Sequence, residues 1–501
     1  MCSSTGIDPQ SLRPASPARQ APDEGHISGS RERDNRAFRF PAMSRALPRT
    51  PETAALLNGS LRCVTIGFSM TICVLGLWHL GCVTAACVAE RFPVIACDPD
   101  SKTVQDLRNG QPPIFEPGLK ELIDAQTAAG RLTVTADVSA AVSAADIVWV
   151  TFDTPVDDTD TADAEFLLRQ IRCVFPNLRD GVVVLISSQV PVGFTAKVEA
   201  EFRCAYPQRR AGFAYSPENL RLGSALDSFC KAQRIVVGVR NENDKRSLES
   251  MLGRFRGSLE WMSVESAEMT KHALNAFLAN SIAFMNEIAC LGELVGADGK
   301  EVERGLKTDG RIGPRAYLSP GGPFSGGTLA RDVSALGALA DRVAIPAPIL
   351  KAIYASNEAH KGWPGRKLLQ FVGDLAGKRV AVLGLTYKPR TDTLRRSGAV
   401  EFCQWLNARG ANVQAYDPAV RSLPQELQTY VRLCGSLGEA LNGADAAVIA
   451  TDWPEFKNIS CDDLRAMRGR IVIDTNCFLD ESVRRAGDLI YAAVGYIGNR
   501  A

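Results

Sequence analysis

A chain of 501 residues, 46% hydrophobic and 23% charged, has the balance of a globular protein and the length for about three domains. Its formal net charge of +1 excludes a bulk electrostatic pull toward nucleic acid or membrane. The 14 cysteines are scattered and form no CxxC pair or Cys/His cluster, so no metal site is expected and a reduced, cytoplasmic setting is.

Residues 1 to about 60 are rich in Pro, Arg, Ser and Ala without a sustained apolar period, and 1–69 reads as a disordered tail. Asp23, Glu24, Glu32 and Asp34 argue against a transit peptide, and Met1, Met43 and Met70 all stand as possible starts. From Cys63 to Ala89 there is no Asp, Glu, Lys or Arg, which is long enough to span a bilayer at roughly 20 residues. Gly67, Gly76, His79 and Gly81 interrupt that run, and Pro93-Val-Ile-Ala-Cys-Asp98 follows it. A strand-turn-helix-strand unit accounts for the whole segment better, and no membrane association is expected.

The first unit, 70–215, carries apolar strands at 71–75, 94–97, 147–151 and 182–187, alternating with helical segments; a parallel sheet covered on both faces follows. In the first turn, Gly76-Leu-Trp-His-Leu-Gly81 has the first and third glycines of a dinucleotide fingerprint, with Trp78 at the middle one. Asp98 ends the second strand, where a carboxylate binds the ribose hydroxyls and favours NAD over NADP. The pyrophosphate belongs near Gly81, at the helix N-terminus.

A central helical part, 216–365, contains one unbroken helix from Val264 to about Val295, ending near Gly296. Its apolar residues wrap too far round for a simple surface helix, so a central or interface position is expected. Lys271 and Asn275 lie four apart and project from one face, where an ammonium and an amide can hold a developing alkoxide. The last unit, 366–501, alternates again: strands at 379–383, 413–417, 446–450 and 471–474, with Ser397 capping a helix that stops at Gly410. The fold class is α/β, with two doubly wound Rossmann-like parallel-sheet domains joined by a long central helix. The cleft between them is the expected site.

Several blocks, in order, resemble the UDP-glucose/GDP-mannose dehydrogenase family. They are Asp153-Thr154-Pro155; Val190-Pro191-Val-Gly193; Ser216-Pro-Glu218-Asn-Leu220; Glu268-Met-Thr-Lys271 with Asn275; Arg311-Ile-Gly; Phe324-Ser-Gly-Gly-Thr328-Leu-Ala-Arg-Asp332; and Tyr387-Lys388 with Arg395-Arg-Ser397. The resemblance implies NAD as cofactor and a nucleotide sugar as substrate. It makes Glu218 the general acid/base and puts Lys271 and Asn275 at the reacting oxygen. Asp332 then manages water and protons, Thr154 lies on the cofactor side, and Leu220, Arg311, Lys388 and Arg395 reach substrate or cofactor. Thr328 stands where the family has the cysteine of its covalent intermediate. Other departures are Gln189 for a threonine that positions water, Arg331 for a lysine and Asn476 for an arginine.

The expected reaction is oxidation of the C6 alcohol of a UDP- or GDP-hexose toward the uronic acid. A two-electron oxidation stopping at aldehyde or ketone, and a non-catalytic binding homologue, stand as alternatives. A homodimer or higher homo-oligomer, joined through the long helix, is expected from the same resemblance.

Overall fold

The computed structural model describes residues 70–155, 162–324 and 327–497; the expected tail over 1–69 lies outside the described residues. Eight short strands build the first sheet: β1 (Ile72–Leu75), β2 (Val94–Cys97), β3 (Leu132–Thr135), β4 (Ile147–Val150), β5 (Val182–Ile186), β6 (Ala211–Tyr215), β7 (Arg234–Gly238) and β8 (Ser258–Met262). Their order is β3-β2-β1-β4-β5-β6-β7-β8. The chain leaves β1 on one side toward β2 and returns on the other as β4, so a crevice opens at the carboxyl ends of β1 and β4. Strands β1, β4 and β5 are buried at every residue. Helices cover both faces, which is why these strands read as continuous apolar runs rather than alternating ones.

The first sheet does not stop at residue 215. Tyr215 ends β6 opposite Gly238 of β7 in an antiparallel pairing, and β8 then adds in parallel, so the sheet runs to Met262.

The second sheet contains β9 (Arg379–Leu383), β10 (Asn412–Tyr416), β11 (Val431–Leu433), β12 (Ala446–Ile449), β13 (Ile471–Asp474) and β14 (Ile490–Ala492). Its order, β11-β10-β9-β12-β13-β14, repeats the order of the first six strands of the other sheet. The repeat extends to the first turn of each unit. Gly76 and Gly384 both have positive φ, +100° and +91°. Asp98 at the end of β2 accepts from the Leu77 N–H at 2.7 Å, and Asp417 after β10 accepts from the Leu385 N–H at 2.7 Å.

Helix α1 (His79–Ala89) follows the first turn, and α2 (Val264–Val295) crosses the molecule. The Ser263 side chain caps α2 by accepting from Ser266 N–H, and Gly296 closes it in the left-handed region with φ 83°. At one end Val264 and Ala267 join the core of the first sheet; near the other, Ala289 joins the core of the second. Helices α3 (Thr328–Arg342) and α4 (Pro348–Lys361) pack on its middle through Ala276, Ala279, Ala330, Val333 and Ile353. Although α2 is long and apolar enough to cross a membrane, these contacts make it a strut between the two sheets with one face packed inside the protein. Helix α5 (Gly398–Asn407) opens the second unit's helical layer, with the Ser397 hydroxyl accepting from the Ala399 and Val400 N–H groups.

Candidate active site

The dinucleotide turn is built by close packing. A β-carbon on Gly76 would lie 2.7 Å from the Phe152 ring and its backbone nitrogen, and one on Gly81 would lie 1.7 Å from the Gly76 carbonyl oxygen. Only glycine fits either position. Trp78 needs no glycine: its backbone is extended (φ −88°, ψ −157°) and its side chain is turned outward, 45% exposed. The middle glycine of the fingerprint is therefore dispensable to the turn itself. With Asp98 joined to Leu77 across it, the cradle of Gly76, Gly81, Asp98 and the free N–H groups of α1 fits a dinucleotide.

Thr154 is buried, and its hydroxyl donates to the Gln189 carbonyl at 2.8 Å. It ties the loop after β4 to the loop after β5. His79, the first residue of α1, meets the Glu116 carboxylate at 3.0 Å. Glu116 in turn accepts from the N–H groups of Gly223 and Ala225 at 2.9 and 2.8 Å, so the cofactor turn and the Glu218 loop share one buried carboxylate.

At the chemistry end, Lys271 Nζ donates to the Glu218 backbone carbonyl at 2.6 Å and to Glu218 Oε1 at 3.2 Å. The other carboxylate oxygen accepts from Leu220 N–H at 2.8 Å. Glu218 and Leu220 line a cavity of about 800 Å³ together with Leu274 and Arg315. Asp153 is close by. Burial raises its pKa above the usual carboxylate range; Arg331 draws it down and the Glu218 charge pushes it up.

Asn275, one turn further along α2, donates to the Asp332 carboxylate instead of facing Glu218. Asp332 is fully buried, also accepts from Gln189 Nε2, and lies 2.8 Å from His272 Nδ1. Arg331 donates to Gln189 Oε1.

Thr328 is the first residue of α3 and lines a second cavity, of about 1080 Å³, with Lys388, Arg395 and Asn476. The loop before it is held from three sides. Asn286 of α2 accepts from Gly321 N–H at 2.9 Å, Asn357 of α4 brackets Phe324 with two bonds of 2.8 Å, and Asn476 accepts from Gly322 N–H at 2.6 Å. Lys388 and Arg395 reach this cavity from the second unit, and neither lines the cavity that holds Glu218. Arg311 lines neither cavity; it is exposed and paired with Asp309, while Arg315 takes part in both.

Sequence reasoning passed over His272, which lies between two residues it singled out. The available signal was one of only four histidines, set in an apolar helix beside Lys271.

Three family models cover most of the chain. Residues 70–256 match the NAD binding domain of the UDP-glucose/GDP-mannose dehydrogenase family, 265–359 its central domain and 381–481 its UDP binding domain. A UDP-glucose 6-dehydrogenase of Rhizobium meliloti (strain 1021) is 36% identical over 437 residues, covering 85% of this chain and 99% of that protein. One from Bacillus subtilis (strain 168) is 34% identical over 429 residues, covering 85% and 93%. Among solved structures, a UDP-glucose dehydrogenase from Pyrobaculum islandicum superposes with a TM-score of 0.77 at 30% identity, covering 86% of this chain and 99% of that one. Agreement this long, through both nucleotide-binding units and the helix between them, places the chain in the UDP-glucose/GDP-mannose dehydrogenase family.

Proposed function

We propose that this chain is an NAD-dependent dehydrogenase acting on the C6 alcohol of a UDP-hexose, with UDP-glucose the first candidate. The observation that carries the reading is the Lys271–Glu218 pair beside a cavity lined by the first nucleotide-binding unit, Leu274 of α2 and Arg315. Oxidising an alcohol requires a proton acceptor, a hydride acceptor and stabilisation of the alkoxide. NAD, held at the Gly76–Gly81 turn, would supply the hydride acceptor. Glu218 takes the hydroxyl proton, and the Lys271 ammonium, 3.2 Å from it, holds the oxygen as charge develops. Asn275 is committed to Asp332, so charge stabilisation falls to Lys271.

Thr328 favours a second reading, a two-electron oxidation that releases the aldehyde. It sits at the N-terminus of α3, where the positive end of the helix dipole would lower a thiol's pKa and make it a nucleophile. A threonine hydroxyl stays protonated there. The test is a panel of UDP- and GDP-sugars assayed for NADH per sugar consumed. Two equivalents mean oxidation to the uronic acid, one means release of the aldehyde, and none with any sugar sinks the dehydrogenase reading. The Thr328→Cys variant is expected to form a trappable thioester and to make carboxylate faster than the native chain. Unchanged products and rate in an active variant would remove Thr328 from the nucleophile position.

A further inference from the structure

His272 is almost fully buried, and both ring nitrogens face acceptors. Nδ1 lies 2.8 Å from Asp332 Oδ1, and Nε2 lies 2.8 Å from the Val190 backbone carbonyl. A carbonyl oxygen has no proton to give, so Nε2 must donate. The second contact turns on whether Asp332 carries a proton, and its neighbours decide that. The Arg331 guanidinium can only donate, which fixes the Gln189 amide with its oxygen toward Arg331 and its NH₂ toward Asp332. Oδ1 therefore already receives one proton from Gln189, and Oδ2 receives one from Asn275. An ionised Asp332 accepts all three bonds, and the amide donors from Gln189 and Asn275, one on each oxygen, favour the carboxylate over an acid that would instead donate to Nδ1.

We infer that His272 is a buried imidazolium which locks Asp332 as a carboxylate, making the pair a positioning device for the site. Asp332 is fully buried, and its three partners are all side chains of this chain. The pair clamps three elements together: α2 through His272 and Asn275, α3 through Asp332, and the loop after β5 through Gln189 and Val190. Thr328 lies one turn before Asp332 on α3, so the clamp also sets where that residue stands in its cavity.

The charged groups around the ring agree with this assignment. Asp332 and Arg331 face it from α3, with Arg342 further along the same helix at the rim of the adjoining cavity. On its own helix Glu268 is buried and accepts from the N–H groups of Gly193 and Thr195, while Lys271 turns to Glu218. The loop from Gln189 to Gly193 brings no charged side chain. Burial alone would favour the neutral ring; the bond and charge of Asp332, the Val190 carbonyl and the Glu268 charge outweigh it and raise the pKa above the usual histidine value.

The inference adds to the dehydrogenase reading, and only its kinetic arm rests on that reading. Full-length protein carrying ¹⁵N-labelled histidine has four imidazoles to resolve, and the His272→Gln variant assigns the one in question. At about pH 8, above the ordinary histidine value of about 6.5, the native spectrum is expected to show His272 with both nitrogens protonated, and Asp332→Asn to abolish that signature. A neutral His272 with a single N–H at that pH overturns the inference, and so does an unaltered signal in Asp332→Asn. If His272→Gln does not fold, Asp332→Asn serves for assignment. In turnover, His272→Gln is expected to lower kcat by about tenfold or more while NAD affinity by calorimetry stays the same; a native kcat overturns the positioning role. Should the native chain make no NADH from any nucleotide sugar, the dehydrogenase reading fails, and the protonation state of His272 still decides this one.

Discussion

Single residues decide what each nucleotide site can hold. The Asp98 carboxylate stands at the end of β2, half exposed, with one oxygen on the Leu77 N–H and the other on the Asp100 N–H at 2.9 Å. Its counterpart Asp417 is buried and saturated by Leu385, Thr386, Ala419 and Trp453. The same acid in the same place of the repeat is thus open to a ligand in one unit and closed in the other. Asp98→Ala is expected to weaken NAD binding by about 1–3 kcal/mol, the worth of hydrogen bonds to a charged group. Calorimetry that finds unchanged affinity would remove Asp98 from the ribose site. Four of the five departures from the family pattern divide similarly. Trp78 is accommodated by turning outward, whereas Gln189 joins the bonds around Asp332, and Thr328 and Asn476 line the cavity of about 1080 Å³.

At the scale of elements, α2 presents two unlike faces. One is buried and carries the polar chemistry of Glu268, Lys271, His272, Asn275 and Asn286. The other leaves Phe277, Phe284 and Leu291 exposed at 69%, 48% and 60%. These three are seven residues apart, so they form one stripe along the helix. A contiguous aromatic and aliphatic stripe on a rigid helix is costly to leave in water. We expect it to pair with the same stripe of a second copy. Light scattering should find a dimer, and Phe277→Asp combined with Phe284→Asp should shift the population to monomer without loss of helical content. A native chain that is monomeric throughout the micromolar range would count against the stripe as an interface.

At the scale of the whole molecule, polar contacts add to the apolar core at the seam between the second sheet and the central helices. Asn476 donates to both carboxylate oxygens of Asp452 at 2.9 Å and accepts from Gly322 N–H at 2.6 Å. Gly495 after β14 donates to Glu293 of α2 at 2.9 Å, and Gly299 donates to the Gly495 carbonyl at 2.7 Å. Asp452 is largely buried, and burial raises its pKa against the pull of Asn476. Asn476→Ala would leave that carboxylate short of its donors and free the loop ahead of Thr328. It is expected to cost about 1–3 kcal/mol, read as a lower Tm, and to weaken nucleotide-sugar binding. An unchanged Tm would show that the seam does not depend on this contact.

The architecture was legible in the sequence wherever a local period or a backbone requirement specified it. Apolar runs gave four strands of each sheet, and a helical period gave α2 from Val264 to about Val295. Positive φ at Gly76 and Gly384 explains why the turns announced themselves. Family resemblance then named the cofactor and substrate class. The partnerships within the site were not legible. Lys271 and Asn275 share a helical face, yet one meets Glu218 from the loop after β6 and the other meets Asp332 from α3, 57 residues later in the chain. Nothing local reports that His272 bridges Asp332 and Val190, or that Arg311 points into solvent while Arg315 lines both cavities. Such contacts are made between elements far apart in sequence, and the charge of a buried group depends on every donor that converges on it. Sequence therefore determined the scaffold and the chemical vocabulary of this protein. Only the packing of α2 against α3 and the β5 loop decided which of those groups face a ligand and which face each other.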